Sequence, residues 1–314
     1  MGLATSFLLG LVLVSACSKA PSEKVLEPST PSSHQVVAHL EPSPSRAAQH
    51  QQAIERWAYQ LQNIDMKELM ERQLDLLVLE PFPDGESEPG ISTSDLNALQ
   101  EHGTVVMAYL SIGEAEDYRD YWNTSWVHNA PIWLEDENPR WPGNFRVQYW
   151  NDDWQALIEK SLQQKIEAGF DGVYLDLVDA YEYFESQNRP RAREEMVDFV
   201  LKLAQKARKR KPDFKIYAQN AEELTLDAGY LAALDGLGRE ELHFGYEGRD
   251  NVATPDHIAQ QMKTHLTRAK EAGKVVLTIE YTDQPEQIKS ALDVSVETGF
   301  LPYFAPRDLD FLPE

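Results

Sequence analysis

The sequence predicts a (β/α)8 TIM barrel, and three observations predict it. Helix, glycine and apolar strand recur in that order: Glu167-Ala168-Gly169, Glu271-Ala272-Gly273 and Glu297-Thr298-Gly299 are followed at once by FDGVYLDL, KVVLTIEYT and FLPYFAP. A glycine can take the left-handed conformation that stops a helix, and the cadence is that of αβ units. Eight apolar runs suited to strands fall in about 250 residues, the size and count of such a barrel. Asp176 stands where one run, GVYLD, ends, and in parallel sheets that end carries ligands and chemistry. A doubly wound open sheet is the alternative. No glycine-rich phosphate fingerprint follows the first strands, which weakens a nucleotide-binding reading.

The first sixteen of 314 residues carry no charge and run SFLLGLVLVSA ahead of the only cysteine, Cys17. The apolar stretch is too short to span a membrane and fits a secretory signal. Val14-Ser15-Ala16-Cys17 looks like a bacterial lipobox, so residues 1–16 are expected to be a signal peptide and Cys17 to carry lipid. Ser18 follows, not the aspartate of an inner-membrane retention signal, so the expected location is the bacterial cell envelope, with the outer membrane favoured. A single cysteine excludes a disulfide framework. Residues 17–51 are rich in Ser, Pro, Ala, Gln and His, cannot bury enough apolar surface to offset chain entropy, and read as a tether. Its histidines, His34, His39 and His50, have no compact ligand spacing and are read as solvated. The folded domain is expected over 52–314.

Within the domain the strands are expected at Trp57–Leu61, Leu74–Glu80, Val105–Leu110, Gly172–Asp176, Phe214–Asn220, Leu234–Glu240, Lys274–Tyr281 and Phe300–Phe304. Asp152 or Asp153 can cap a helix that presents Trp154, Leu157, Ile158, Leu162 and Ile166 on one face. Met196, Phe199, Val200 and Leu203 mark a second helix, ending in the basic KARKRK, which suits a helix C-terminus. Thr254-Pro255 is expected to open a third as cap and first residue, with Ile258, Met262 and Leu266 on its apolar face.

About sixty residues separate the third and fourth strands, and they are expected to form a long aromatic-rich loop. Trp122, Trp126, Trp133, Trp141, Trp150 and Trp154 account for six of seven tryptophans, with Tyr149 among them. Flat aromatic rings stack on sugars and attract ammonium groups. Trp154, at helical spacing, reads as core, whereas Trp150, beside Asn-Asp-Asp, is the better subsite candidate. Net charge is −23, with 52 acidic against 29 basic residues. That excludes nucleic acid or anionic membrane as a partner bound by bulk electrostatics, and favours a cationic one.

Side chains alternate along a strand, so Tyr174 and Asp176 share one face, and Gly236, Gly238 and Glu240 share another. With the apolar Val173 and Leu175 facing the helices, the polar set faces the barrel axis, where two glycines leave room. Asp176 then ends strand four and Glu240 strand six. Two carboxylates across a barrel mouth fit glycoside hydrolysis, with one as proton donor and the other ionised. The alternatives are ion pairing with Arg239 or Arg249, and metal ligation by Asp176 and Asp179. The second is weak, because no HxxEH or DxDxDG-like cluster appears. No metal or cofactor is predicted.

The segments AYLSIGEAEDYRDYW at 108–122, GFDGVYLDLVDAYEYF at 169–184, AQNAEEL at 218–224 and DGLGREEL at 235–242 together resemble the endo-α-1,4-polygalactosaminidases, family 114 of glycoside hydrolases. The resemblance runs from about residue 56 to 312. It implies a (β/α)8 barrel, a catalytic aspartate and glutamate matching Asp176 and Glu240, and a cationic or partly acetylated α-1,4-linked galactosamine polymer as substrate. Such a polymer suits the chain's acidity. Glu80 and Glu114 follow strands two and three, and Tyr109 and Ser111 share inward parity on strand three. These four, with Trp150, Tyr174, Asp179, Asn220 and Tyr281, are the candidate substrate-binding residues.

The leading reading is therefore a lipid-anchored endo-glycosidase acting as a monomer. The competitor is a non-catalytic carbohydrate-binding lipoprotein of the same fold, which needs no opposed carboxylates. Within the pair, Asp176 is expected to stay ionised as nucleophile or charge stabiliser. Glu240 is expected to act as acid/base, its pKa raised by Leu242, Phe244 and Tyr246. Glu241 adjoins it and takes its place if the strand register differs by one residue.

Overall fold

All eight expected strands form. Trp57–Gln60 (β1), Leu76–Leu79 (β2) and Val105–Ser111 (β3) come first. Glu114–Glu116 (β4), Leu134–Glu137 (β5) and Asn144–Val147 (β6) make a separate antiparallel sheet. Gly172–Asp176 (β7), Lys215–Gln219 (β8), Gly236–Glu240 (β9), Val275–Glu280 (β10) and Leu301–Phe304 (β11) complete the parallel set. Its order is β1-β2-β3-β7-β8-β9-β10-β11, and every neighbouring pair is parallel. The computed structural model describes residues 54–82 and 90–313, all within the unit Pro44–Glu314. The signal peptide, Cys17 and the tether to residue 51 lie outside the described residues.

The ends of the sheet approach closure. Trp57 Nε1 donates to the Leu301 carbonyl at 3.0 Å, and its ring lies 5.2 Å from that of Tyr303. Leu61 N donates to Leu309 O at 2.8 Å. Helices Met66–Arg72 (α1), Thr93–Glu101 (α2), Asp152–Ala168 (α3), Tyr181–Ser186 (α4), Ala192–Arg210 (α5), Ala228–Ala233 (α6), Asp256–Glu271 (α7) and Pro285–Thr298 (α8) connect the barrel strands. Covered on both faces, Leu76-Leu77-Val78-Leu79 has no exposed surface, as a parallel strand inside a helical layer requires.

Helix ends differ in detail from expectation. Gly169 and Gly299 are left-handed, at φ 106° and 69°, and stop α3 and α8. The cap of α3 is Asn151, whose Oδ1 accepts from Asp153 N at 2.9 Å, so neither Asp152 nor Asp153 serves. Pro255 precedes α7, and Thr254 does not cap it: its hydroxyl donates instead to the Glu241 carbonyl at 2.7 Å.

The expected long loop is instead folded. Much of its aromatic mass packs inward, with Trp141 left exposed: Trp122, Trp126, Trp133 and Trp154 form a chain of ring contacts at 5.1–5.2 Å. Trp154 Nε1 is anchored to Ile112 O at 2.9 Å. The small sheet thereby acquires its own apolar support against α3.

The barrel interior is filled with aromatic rings, and the glycines on β9 exist for that reason. A β-carbon at Gly236 would stand 2.5 Å from the Tyr217 ring, and one at Gly238 would overlap the Tyr174 hydroxyl. The room left by the glycines is occupied by protein, not held open for a ligand. Gly238→Ala is therefore expected to lower unfolding stability by about 1–3 kcal/mol, as overpacking does, with part of the loss recovered when Tyr174→Phe removes the overlapping oxygen. Chemical denaturation of the single and double variants measures both. An unchanged midpoint for Gly238→Ala would contradict this packing.

Candidate active site

The strands deliver Asp176 and Glu240 to one place at the C-terminal end of the barrel. Asp176 Oδ2 accepts from the Tyr109 hydroxyl of β3 at 2.7 Å, and Oδ1 from its neighbour's Leu177 N at 2.7 Å. Glu240 Oε1 accepts from the Tyr281 hydroxyl, just beyond β10. Its Oε2 accepts from Asn220 Nδ2 at 3.1 Å, while Asn220 Oδ1 accepts from Glu240 N at 3.2 Å. Between the two carboxylates lies Gln219, the last residue of β8. Its Nε2 donates to Asp176 Oδ1 at 2.9 Å and to Glu240 Oε2 at 3.0 Å. Both bonds leave one nitrogen, so these two oxygens, one from each carboxyl, are roughly 6 Å apart at most.

Each of the three strands turns in a left-handed residue immediately past its functional side chain: Leu177 (φ 55°) after Asp176, Asn220 and Ala221 (58° and 53°) after Gln219, and Glu241 (57°) after Glu240. Non-glycine residues rarely adopt this conformation, and it gathers at functional sites. The turn at Glu241 decides the register. Glu240 enters the site, whereas Glu241 turns away to pair with Arg307 Nη1 at 2.7 Å.

Contrary to the expectation that polar neighbours keep Asp176 ionised, burial raises its carboxyl to about 7, with Glu240's charge adding to the shift and the Tyr109 and Leu177 bonds opposing it. Two like charges this close disfavour joint ionisation. The apolar setting expected for Glu240 is not what forms. Its carboxylate meets Gln219, Asn220 and Tyr281, while Leu242 is buried and Phe244 bridges to Ala253.

This barrel with its paired carboxylates is matched by the model of glycoside-hydrolase family GH114, over residues 38–312. The chain belongs to that family. It is a glycoside hydrolase. Similar sequences include an uncharacterized protein of Deinococcus radiodurans, 38% identical over 308 residues and covering 97% of each chain. Another, from Methanocaldococcus jannaschii, is 35% identical and covers 80% of this chain and 75% of that one. Among solved structures, the glycoside hydrolase domain of PelA from Pseudomonas aeruginosa superposes with a TM-score of 0.66 at 18% identity, covering 83% of this chain and 98% of that one. Aspergillus fumigatus Ega3 in complex with galactosamine gives 0.65 at 18% identity, covering 84% and 96%. At that identity the two structures speak for the fold.

Of the candidate substrate-binding residues in this GH114 chain, three contact the carboxylates directly: Tyr109, Asn220 and Tyr281. Asp179, one turn past β7, is partly buried and its carboxyl accepts no hydrogen bond among the described residues; burial, then the Asp176 charge, pushes it to about 8. The others are placed differently. Tyr174 has no exposed surface and packs on Tyr59 below the pair, at 5.2 Å between rings. The Ser111 hydroxyl donates to the Glu114 carbonyl at 3.0 Å. Glu80 is spent on Arg119 Nη2 at 2.7 Å and Phe82 N at 2.8 Å, and buried Glu114 on Asn138 Nδ2 at 2.8 Å. The face of Trp150 is covered by the Arg189 guanidinium, 3.4 Å from the ring centre, so it offers no free stacking surface. Gln219 was not among the candidates. Strand alternation with Tyr217 points to it, but a lone amide has no chemistry of its own to single it out.

A second buried carboxyl supports the site from behind. Glu280, at the end of β10 with no exposed surface, accepts from His243 N and Phe244 N, both at 2.9 Å, and so holds the segment that follows Glu240. Burial pushes it up to about 8. With Asp176 and Asp179 it forms a set whose folded form holds protons more firmly than the unfolded chain, where carboxyls titrate near about 4. Their contribution to stability is full below about pH 4 and is lost as pH rises through 7 to 8. The melting temperature is therefore expected to fall between pH 5 and pH 9. Glu280→Gln, which keeps an acceptor for both amides and cannot ionise, is expected to flatten that fall. Parallel Tm profiles for the variant and the wild type would show that Glu280 does not contribute.

Proposed function

We propose that this glycoside hydrolase cuts α-1,4-linked galactosamine or N-acetylgalactosamine polysaccharide internally, with retention of configuration. In this reading Glu240 donates its proton to the glycosidic oxygen while Asp176 attacks the anomeric carbon from the opposite face. The leaving chain departs with that proton, and a glycosyl ester forms on Asp176. Glu240, now ionised, takes a proton from the incoming water, whose oxygen displaces Asp176 and restores both carboxyls. The observation that supports the reading is the span of the pair through one Gln219 nitrogen, which brings one oxygen of each carboxyl to within roughly 6 Å, near the separation used by retaining enzymes. Asp176, held at both oxygens by three donors, suits the nucleophile that must keep its aim. The amino-sugar assignment is supported by the sequence resemblance, by the galactosamine bound in the Ega3 structure, by the net charge of −23, and by Asp179 beside the pair, whose carboxyl accepts no hydrogen bond among the described residues.

Asp176→Asn is expected to reduce turnover of galactosaminoglycan and of activated aryl glycosides alike, and Glu240→Gln to reduce polymer cleavage by about 10²–10⁴-fold while sparing activated leaving groups. Reducing-end assays on both substrates measure this, and the opposite leaving-group pattern would reverse the roles. NMR of the first product is expected to show the α-anomer; a β-anomer formed first would exclude retention.

The protein is further proposed to sit in the cell envelope on a lipid attached to Cys17, which the uncharged apolar leader and Val14-Ser15-Ala16-Cys17 support. Cys17→Ser is expected to shift it from the membrane fraction to uncleaved or soluble material. A wild-type N-terminus found by mass spectrometry to be uncleaved, with a free thiol, would sink this.

A further inference from the structure

We propose that Gln219 is the positioning residue of the pair, the group that sets both the distance between the carboxylates and the number of protons they share. The proposal rests on the paired-carboxylate reading and extends it to a residue with no acid or base of its own.

The argument begins with the donors. Tyr109 and Leu177 N serve only Asp176, and Asn220 and Tyr281 serve only Glu240. Among the described residues Gln219 alone joins the two, with one amide hydrogen for each. Its orientation is dictated by that arrangement, because the reverse orientation would set its carbonyl oxygen against both carboxylates. The cost is visible at the other end: Gln219 Oε1 is buried and accepts from no donor among the described residues. A buried acceptor left unpaired is destabilising, so the amide is held by what its nitrogen does. Gln219 is 3% exposed, at the end of a strand paired on both sides, and has little freedom to leave.

Two like charges under burial raise each other's affinity for protons. A donor shared between them offsets part of that repulsion and lets the pair release its last proton at a lower pH than it otherwise would. The same geometry serves both chemical steps. As Asp176 becomes an ester and Glu240 an anion, negative charge passes from one end of the amide to the other, and a bond already stands at each end. No side chain has to move to follow the charge.

The other titratable groups facing the pair do not compete for this role. Tyr59 from β1, Tyr109 from β3, Tyr174 from β7 and Tyr281 beyond β10 are all driven above their ordinary range, chiefly by burial, and keep their protons. Glu116 of β4 is tied to Arg119 Nε at 2.5 Å. Asp179 lies nearby but has no hydrogen bond to either carboxylate among the described residues.

The test is a pH titration of the protein with ¹³C-labelled carboxyl groups, read by NMR in wild type, Gln219→Met and Gln219→Asn. Methionine keeps the length and removes the donor; asparagine keeps the amide and shortens its reach. In both variants the upper proton-release step of the pair is expected to move up by about one pH unit or more. With polymer substrate, kcat is expected to fall about 10- to 100-fold with little change in KM, and the alkaline limb of the rate profile to move with the titration. A residue that merely fills space would change kcat or folding and leave the titration in place. An unmoved upper step in both variants overturns the proposal. A moved step in a protein that cuts no galactosaminoglycan supports the proposal and sinks the substrate assignment, because the titration needs no substrate.

Discussion

Two carboxylates facing each other at the end of a barrel repel, and much of this molecule is arranged around that repulsion. Bulk water would screen it, but Asp176 sits where burial itself already favours the proton. What remains is to surround the pair with donors, and β3, β7, β8 and β10, with the turns that follow them, supply them. Tyr109 comes from β3, Leu177 N from the turn after β7, Gln219 and Asn220 from β8 and its exit, and Tyr281 from the end of β10. The donors are phenols and amides, which carry no charge and so leave the pair free to exchange its proton. A lysine or arginine in their place would fix both carboxylates as anions.

Holding these groups in register demands a floor that does not yield, and the floor is aromatic. Tyr59, Tyr174 and Tyr217 occupy the interior below the pair, and Gly236 and Gly238 let β9 approach their rings. Above the floor the chain must turn sharply, and the turns fall on left-handed residues right after the functional ones. Those turns are held from outside: Glu280 binds the amides of His243 and Phe244, and Thr254 binds the Glu241 carbonyl. The barrel thus fixes the strands, the tyrosines fix the depth of the pair, and the buried carboxyl behind β10 fixes the exit of Glu240.

Much of this was legible in the sequence, and what was not has a common cause. Strand ends and helix stops are local: Gly169 and Gly299 stop their helices as the sequence implies, and Gly172–Asp176 is a strand with the same bounds as predicted. The face on which Asp176 and Glu240 lie follows from alternation alone. Misplaced residues are those whose partners are distant in sequence. Trp150 looked open because Arg189, which covers it, comes 39 residues later, and Glu80 looked free because Arg119 is as far away. The glycines of β9 signalled room, but Tyr174 and Tyr217, which use it, lie on other strands. The segment after β3 looked like a loop because short antiparallel strands around a tryptophan cluster have no long period to detect.

The acidity of the chain acts at two ranges that are easily confused. A net charge of −23 spread over the surface is screened beyond about 8 Å at physiological salt, so it can draw a polycation toward the protein but cannot choose among its sugars. Choice needs a charge close to the bound ring. In the proposed amino-sugar reading Asp179 takes that position: it is near enough to the pair for the Asp176 charge to raise its pKa, and its carboxyl accepts no hydrogen bond among the described residues. An ammonium group beside it would favour the ionised form, and by linkage an ionised Asp179 favours an amine over an acetamide. A neutral acetamido group gives no such return, and it leaves the carboxyl protonated as burial prefers. In that proposed reading, discrimination between free and acetylated units depends on pH across the range in which Asp179 titrates, whereas long-range attraction depends on salt. The two dependences separate steering from selection within a single acidic protein.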